Sequence, residues 1–182
     1  MRLVKTLPFL LGLGAALGSA SAWSLPTDRD QPIHIQSDDA QLDDKKGVAT
    51  YKGNVIITQG SMKITGNTVT ITRNAQGEVD VFTSVGNLAY YEQKPAVDKP
   101  IVQAYAVTIQ YYAAQDRIVL IDKAKVINDG NTSEGEKIVY DTVRQIVSAG
   151  RATGGAKVTA PRPRIDMVIQ PKKKPEQPQK AQ

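Results

Sequence analysis

Apolar residues recur at every second position in one short segment after another, and this alternation constrains the fold more than any other feature of the chain. The longest example spans 101–111, where Tyr105, Val107, Ile109 and Tyr111 occupy alternate positions. Such alternation is typical of β-strands with one buried face, because successive side chains point to opposite sides of a strand. No comparable segment beyond the N-terminal region has the spacing of an amphipathic helix. The pattern predicts an all-β fold, a roll or a sandwich of antiparallel strands.

Polar segments that suit tight turns separate the alternating runs. They lie at 43–47, 73–77, 114–116 and 128–131, and most contain glycine or asparagine. Both residues tolerate the positive φ angles of hairpin turns. We therefore expect strands that follow one another in the chain to be joined by hairpins.

A weak internal repeat accompanies the strands. At a shift of 69 residues, 40–71 aligns with 109–140 without a gap, and Gly66 falls on Gly135. Each unit is predicted as three strands joined by two turns, and repeated units of this kind usually stack on one another. Shared strand periodicity alone would also produce the match, and the sequence leaves both explanations open.

The first 22 residues have the organisation of a secretory signal peptide. A positively charged start precedes a short apolar run, and Ala20-Ser21-Ala22 forms a small-residue cleavage site. The apolar run is too short to span a bilayer comfortably, so cleavage near Ala22 is favoured over an uncleaved anchor. We expect an exported protein with one domain at 23–160. A last-strand extension and a Pro/Lys/Gln-rich tail follow at 161–182, disordered after residue 171.

The net charge is +5, from 23 basic and 18 acidic residues, and the basic excess lies mainly in the tail. A basic tail attracts anionic lipid headgroups or an acidic partner, or it only raises solubility, and the sequence does not decide between these roles. Nucleic acid is not an expected partner, because the body has no basic face with interleaved aromatic residues.

The sequence lacks the usual chemistry of an enzyme active site. It has no cysteine and a single histidine, His34. A disulfide scaffold, a thiolate metal site and a cysteine nucleophile are therefore excluded, and a Ser-His-Asp triad is disfavoured. Adjacent carboxylates such as Asp38 and Asp39 would point to opposite faces of a strand. With no P-loop, zinc signature or nucleophile elbow, we predict no catalytic residue, no metal site and no cofactor.

Two stretches are specific enough to indicate a family. Residues 30–38 read Asp-Gln-Pro-Ile-His-Ile-Gln-Ser-Asp, and residues 51–60 read Tyr-Lys-Gly-Asn-Val-Ile-Ile-Thr-Gln-Gly. With the strand-rich body, they resemble the OstA-like domain of the LptA family of periplasmic lipopolysaccharide-transport proteins, over about 28–158. The sequence departs from the family pattern at 122–124, which reads Asp-Lys-Ala where Gly-Asn-Ala is more typical.

The resemblance implies a twisted, slightly open β-jelly roll in the periplasm. Its cargo would be lipopolysaccharide, with the acyl chains of lipid A inside the roll and the sugars outside. Copies would associate head to tail into a bridge between the inner-membrane export complex and the outer-membrane translocon. The alternative is a structural or adhesive β-protein that polymerises through edge strands and carries no lipid.

The inward-facing residues are the candidate lining of a lipid groove. In the family, the positions of Ile33 and Ile35 correspond to the entrance, and those of Tyr91, Ile109 and Tyr111 to the lipid-facing interior. The full candidate set is Ile33, Ile35, Val55, Ile57, Met62, Ile64, Val69, Ile71, Tyr91, Val107, Ile109, Tyr111, Leu120 and Ile138. These mostly aliphatic side chains suit acyl chains, which cost about 0.8 kcal/mol per methylene exposed to water. A filled core would give the same periodicity.

Edge strands are the candidate surfaces for assembly, because they carry unpaired backbone groups. The candidate edge residues are Ile33, His34 and Ile35 at one end, and Val158, Ile165 and Met167 at the other. Pairing the end of one copy with the start of the next would join their grooves. Such a heterologous contact extends into filaments rather than closed dimers.

Overall fold

The computed structural model describes residues 28–150 and 164–170, and it is built almost entirely of β-strands. The strands are β1 Ile33–Gln36, β2 Asp39–Asp43, β3 Val48–Gln59, β4 Met62–Arg73, β5 Val79–Gln93, β6 Val102–Tyr112, β7 Arg117–Asn128, β8 Asn131–Asp141, β9 Ile146–Gly150 and β10 Asp166–Val168. Two short 3-10 turns, Asp28–Asp30 and Ala113–Gln115, complete the described structure. The all-β prediction is confirmed, and none of the described helical segments is long and apolar enough to cross a membrane. The expected signal peptide, Val158 and the tail beyond residue 170 lie outside the described residues.

All ten strands form one antiparallel sheet, in the order β1-β3-β4-β5-β6-β7-β8-β10. The short strand β2 lies beside β3, and β9 lies beside β8. The predicted turn segments all fall where one strand ends and the next begins. Hairpins therefore join the long strands, as the turn chemistry indicates.

A row of β-bulges crosses the sheet and bends its long strands. The register shifts lie between Lys52 and Val55, Thr65 and Thr68, Val85 and Ala89, Tyr105 and Thr108, and Ile121 and Ala124. Because a bulge bends its strand and increases the local twist, neighbouring bulges bend the whole sheet along one line.

The sheet folds back on itself along this line of bulges. Tyr91 pairs with Ala104 on β6, while Tyr111 lies near the far end of that same strand. A straight strand would place Ala104 and Tyr111 about 23 Å apart. The rings of Tyr91 and Tyr111 are nevertheless in contact, with centroids 5.9 Å apart. The two halves of each long strand thus form two facing layers of a roll, and we call the open side, where strand ends from both layers meet, the mouth.

The bulges also switch which side chains face inward. On β6, Ala104 and Ala106 are buried before the bulge, and Ile109 and Tyr111 after it. The uninterrupted alternation expected for 101–111 is therefore wrong at Tyr105 and at Val107, which are only half-buried, and Val107 lies within the register shift. A bulge adds a residue to the strand, so the inward phase changes from even to odd positions.

The internal repeat extends to the backbone. At the shift of 69 residues, β3 falls on β7 over its full length, and β4 starts where β8 starts. Gly53 and Asn54 have φ of 76° and 45°, and their counterparts Asp122 and Lys123 have 62° and 54°. The second unit thus keeps the left-handed bulge of the first without its glycine, which explains how the departure from the family pattern at 122–124 is accommodated.

Candidate functional site

The interior between the two layers collects most of the candidate lipid-facing residues. Eleven of them belong to one buried core: Val55, Ile57, Met62, Ile64, Val69, Ile71, Tyr91, Ile109, Tyr111, Leu120 and Ile138. Ile33 and Ile35 are half-buried and pack against this core from β1. Val107 lies outside the core. The structure therefore brings thirteen of the fourteen candidates together along one surface.

Other core residues were not among the candidates. They are Phe82, Ala89, Val102, Ala104, Ala106, Ile118, Ala124, Val126 and Tyr140. Ile118 and Tyr140 lie in runs whose alternation would have identified them. Phe82 was not predicted to face inward, because the alternating valines at 79 and 81 indicate that the odd-numbered face of β5 is the buried one.

The interior is apolar and filled by its own side chains. Its largest members, among them Tyr91 and Phe82, are almost completely inaccessible to solvent. Among the described residues, none with a charged side chain is buried as a whole, and the buried polar residues besides tyrosines are Ser84 and Thr142. The Ser84 hydroxyl is satisfied by donating to the Thr65 carbonyl oxygen at 2.9 Å. Such a surface demands no hydrogen bond or countercharge from a hydrocarbon chain placed against it.

Three tyrosines carry the polar groups of this interior. The Tyr111 ring contacts Phe82 and Tyr91, each with centroids 5.9 Å apart. Burial raises the pKa of Tyr91 and of Tyr111, and the nearby Arg29 cation partly opposes the rise for Tyr111. The Tyr91 hydroxyl donates to Gln93 Oε1 at 2.6 Å. These phenols therefore stay uncharged at neutral pH and present rings to the interior.

Tyr140 differs from the other buried tyrosines. Burial raises the pKa of its phenol, with the Asp141 carboxylate adding to the rise. Its hydroxyl oxygen is buried and has no hydrogen-bond partner. An unsatisfied buried hydroxyl costs about 1–3 kcal/mol, so this group weakens the core as it stands.

Two motif glycines make room for aspartate side chains near the edge of the sheet. Gly60 has φ of 58°, and a Cβ there would lie 2.2 Å from Asp28 Oδ1. Gly53 has φ of 76°, and a Cβ there would lie 2.1 Å from Asp38 Oδ2. Both positions therefore exclude larger residues by conformation and by space. The motif at 51–60 thus fixes how the segment at 28–38 lies against β3.

The candidate edge residues lie at the two ends of the sheet. Ile33, His34 and Ile35 are on β1, which within the described residues pairs with β3 alone. Met167 is on β10, which pairs with β8, and Ile165 precedes that strand. Ile165 and Met167 are each about half exposed, at 49% and 50%. Within 28–150 and 164–170, these candidates thus lie on strands at opposite ends of the sheet that have no further pairing partner, whereas Val158 lies outside the described residues.

Comparisons with known proteins agree on one family. A family model described as "LptA/(LptD N-terminal domain) LPS transport protein" matches residues 34–146. The lipopolysaccharide export system protein LptH of Pseudomonas aeruginosa is 66% identical over 174 residues, which cover 96% of this chain and 99% of LptH. The LptA protein of Escherichia coli K12 is 35% identical over 146 residues, covering 79% of this chain and 78% of LptA.

A solved structure has the same fold. The crystal structure of Pseudomonas aeruginosa LptH superposes with a TM-score of 0.73 and 66% sequence identity, covering 80% of this chain and 100% of that one. That LptH is described as the LptA-homologous periplasmic component of the conserved lipopolysaccharide transport device. The jelly-roll architecture expected from the sequence is confirmed.

Proposed function

Because the chain belongs to the LptA/LptD N-terminal-domain family of lipopolysaccharide transport proteins, we propose that it transports lipopolysaccharide with the acyl chains held inside the roll. The structural or adhesive alternative is not supported, since the match to LptH, a lipopolysaccharide export system protein, covers 99% of that protein. We place the protein in the periplasm, as for LptH. The matching family is one of transport proteins, and we propose no catalytic activity.

The apolar interior without buried charge is the observation that carries this proposal. A chain of a dozen carbons costs roughly 10 kcal/mol in water, so a lipid with several chains cannot cross an aqueous compartment unshielded. Inside the roll those chains would contact residues such as Ile57, Ile109 and Leu120, all of which are buried. The sugars cannot enter without losing their hydration, so they would project through the mouth.

The filled interior has a mechanical consequence for loading. Acyl chains can enter only by replacing contacts between side chains of the two layers, because packed side chains leave no free volume of that size. We therefore infer that the layers separate at the mouth as cargo enters, and close again after it leaves.

Photo-crosslinking at paired tyrosine positions tests the interior site. A photoreactive amino acid at Tyr91, which is 0% exposed and faces inward, should form an adduct with lipopolysaccharide. The matched control is Tyr90, the adjacent residue on the outer face of the same strand. Equal labelling at both positions, or labelling at Tyr90 alone, would contradict the proposal and favour a site for sugars on the outer face.

We further propose that copies associate head to tail through β1 and β10. Among the described strands, these two lie at opposite ends of the sheet with one edge unpaired, and each carries apolar side chains beside backbone groups. Related jelly-roll domains of the inner-membrane export complex and the outer-membrane translocon would use the same two edges.

Truncation after Ala160 removes β10 and should lower the average mass measured by light scattering. An unchanged size distribution would show that this edge does not join copies.

Cleavage of a signal peptide near Ala22 remains part of the proposal. Intact-mass analysis of protein purified from the periplasm should give a chain that starts near Trp23. A full-length mass would show that the N-terminal segment is retained as an anchor.

A further inference from the structure

The segment Asp28–Gln31 crosses the mouth of the roll. On one side of the mouth lie the β3–β4 turn at Ser61 and the end of β5 at Gln93, which we call the first lip. On the other side lies the β6–β7 turn at Asp116, which we call the second lip. Gln93 pairs with Val102 at the start of β6, whereas Asp116 follows the other end of that strand. Two adjacent residues, Asp28 and Arg29, nevertheless contact both lips.

Asp28 anchors the segment to the first lip. Its carboxylate accepts hydrogen bonds from the Ser61 backbone N–H at 2.7 Å, from the Ser61 hydroxyl at 2.7 Å and from Gln93 Nε2 at 2.6 Å. Gln59 Nε2 lies 3.0 Å from both the Arg29 and the Gln31 carbonyl oxygens and donates to them. The anchor is thus made of several charge-assisted or side-chain hydrogen bonds, which hold one end of the segment in place.

Arg29 makes the contact with the second lip. Its guanidinium Nη2 lies 2.5 Å from Asp116 Oδ1, and the two side chains are 42% and 34% exposed. Asp116 is itself fixed, because its carbonyl oxygen accepts hydrogen bonds from the Thr142 backbone N–H at 2.8 Å and hydroxyl at 3.0 Å. The Arg29 guanidinium and the Asp116 carboxylate are both close enough to interact with Tyr111, whose ring touches that of Tyr91 from the other layer. The ion pair therefore closes the mouth directly above candidate lipid-facing residues.

We propose that the boundary between the two lips beneath Asp28–Gln31 is where the acyl chains of a glycolipid enter, and that these four residues form a latch that keeps it closed. The inference rests on the proposed function for the identity of the cargo. A glycolipid with its chains inside and its sugars outside must pass through the mouth, so the contact between Arg29 and Asp116 has to break during loading. An exposed ion pair suits this role, because such pairs contribute little stability and open readily.

Charge reversal and charge exchange test the latch. Arg29→Glu places two carboxylates across the mouth and should increase the rate of lipopolysaccharide loading about twofold to fivefold, the range expected for loss of an exposed pair. The exchange variant, Arg29→Glu with Asp116→Arg, restores an ion pair and should return the rate to the wild-type value. The matched control is Lys125→Glu, which breaks a pair of similar exposure to Glu134 (40% and 48%) between neighbouring strands of one layer. It should load at the wild-type rate.

Loading is followed by stopped-flow fluorescence with fluorophore-labelled lipopolysaccharide, and again with a fluorescent fatty acid. Hydrogen–deuterium exchange at the amides of Ser61 and Ile33–Gln36 reports opening without any lipid. It should be faster in Arg29→Glu and in Asp28→Asn, which removes the charge of the anchor. Unaltered far-UV circular dichroism would confirm that each variant is folded.

The outcomes separate the latch from the proposed function. Faster loading in Arg29→Glu that charge exchange reverses, with no change in Lys125→Glu, supports the latch. Equal loading rates and equal amide exchange in all variants would overturn it. If even the wild type fails to load lipopolysaccharide, the proposed cargo is wrong. The latch is then tested only by the loading rate of the fatty acid and by amide exchange. If Arg29→Glu changes neither of these, the latch is overturned.

Discussion

Truncating Ile57 tests whether acyl chains occupy the interior of the roll. The side chain is 0% exposed, and its cross-strand neighbours are Ile35 on β1 and Ile64 on β4. Replacing a buried isoleucine by alanine costs about 2–5 kcal/mol, because the surrounding core refills the space only partly. For a domain of this size, a loss of 1 kcal/mol lowers the melting temperature by about 2–4 °C. We therefore expect the melting temperature of the Ile57→Ala variant to be roughly 10 °C below that of the wild type.

Lipopolysaccharide should recover part of this loss if its chains lie against Ile57. Each methylene that fills the vacated space contributes about 0.8 kcal/mol, so we expect roughly 2 kcal/mol of additional stabilisation, or about 6 °C. This gain comes on top of the shift that ligand binding gives the wild type. The measurement is thermal unfolding followed by far-UV circular dichroism, with and without excess lipopolysaccharide.

The adjacent Ile56 provides the matched control. It has the same side chain one position away, on the outer face of β3, where it is only half-buried. Ile56→Ala should lose less stability than Ile57→Ala and show the wild-type response to lipopolysaccharide. The same lipid-induced shift in all three proteins would refute the reasoning, because the vacated space would then not be reached by the acyl chains.

Further predictions concern stability in the absence of lipid. Replacing Asp122 by glycine and Lys123 by asparagine copies the Gly53–Asn54 pair of the first unit, and should raise the free energy of unfolding by about 1 kcal/mol in a denaturant titration, since the new residues tolerate left-handed backbone. Tyr140→Phe should also stabilise the protein by about 1 kcal/mol, because it removes a buried hydroxyl without a partner. As pH rises above 10, the usual phenol pKa, the free energy of unfolding should fall, because burial raises the pKa of Tyr91 in the folded protein. The Tyr91 phenol of the unfolded chain loses its proton at a lower pH than that of the folded protein, so the stability that is present below about pH 10 is lost at higher pH. In Tyr91→Phe, the free energy of unfolding should fall less steeply with pH.

Each of these predictions has an outcome that contradicts it. An unchanged denaturation midpoint for the double variant at 122 and 123 would show that the second bulge carries no conformational cost. A less stable Tyr140→Phe protein would show that the hydroxyl makes a favourable contact. A free energy of unfolding that stays constant between about pH 9 and about pH 11 would contradict a raised pKa for Tyr91.

Much of the fold follows from local patterns in the sequence. Strand alternation depends on residues two positions apart, and turn chemistry on a few adjacent residues, so both are visible without tertiary information. Ile57, Ile64 and Leu120 were identified as inward-facing for that reason. All three lie in one buried core, because the alternating face is also the face that the roll buries.

The errors come from features that local patterns do not encode. Val107 was assigned inward because the alternation was read as uninterrupted. The assignment is wrong because a bulge on β6 changes the phase of burial, and a single sequence does not mark where such a bulge falls. Phe82 was missed for the related reason that apolar residues lie on both faces of β5. The latch joins Arg29 to Asp116, which are far apart in the chain, and it becomes visible only once the sheet has folded back on itself.

The row of bulges determines how the protein can respond to cargo of different size. Each strand from β3 to β8 contributes one half to each layer, so the backbone hydrogen bonds run within the layers and none has to break when the layers separate at the mouth. Widening then requires only small rotations about backbone angles along the bend. We expect such a carrier to accommodate hydrocarbon chains of unequal number and length by adjusting one angle, whereas a closed barrel would have to add strands.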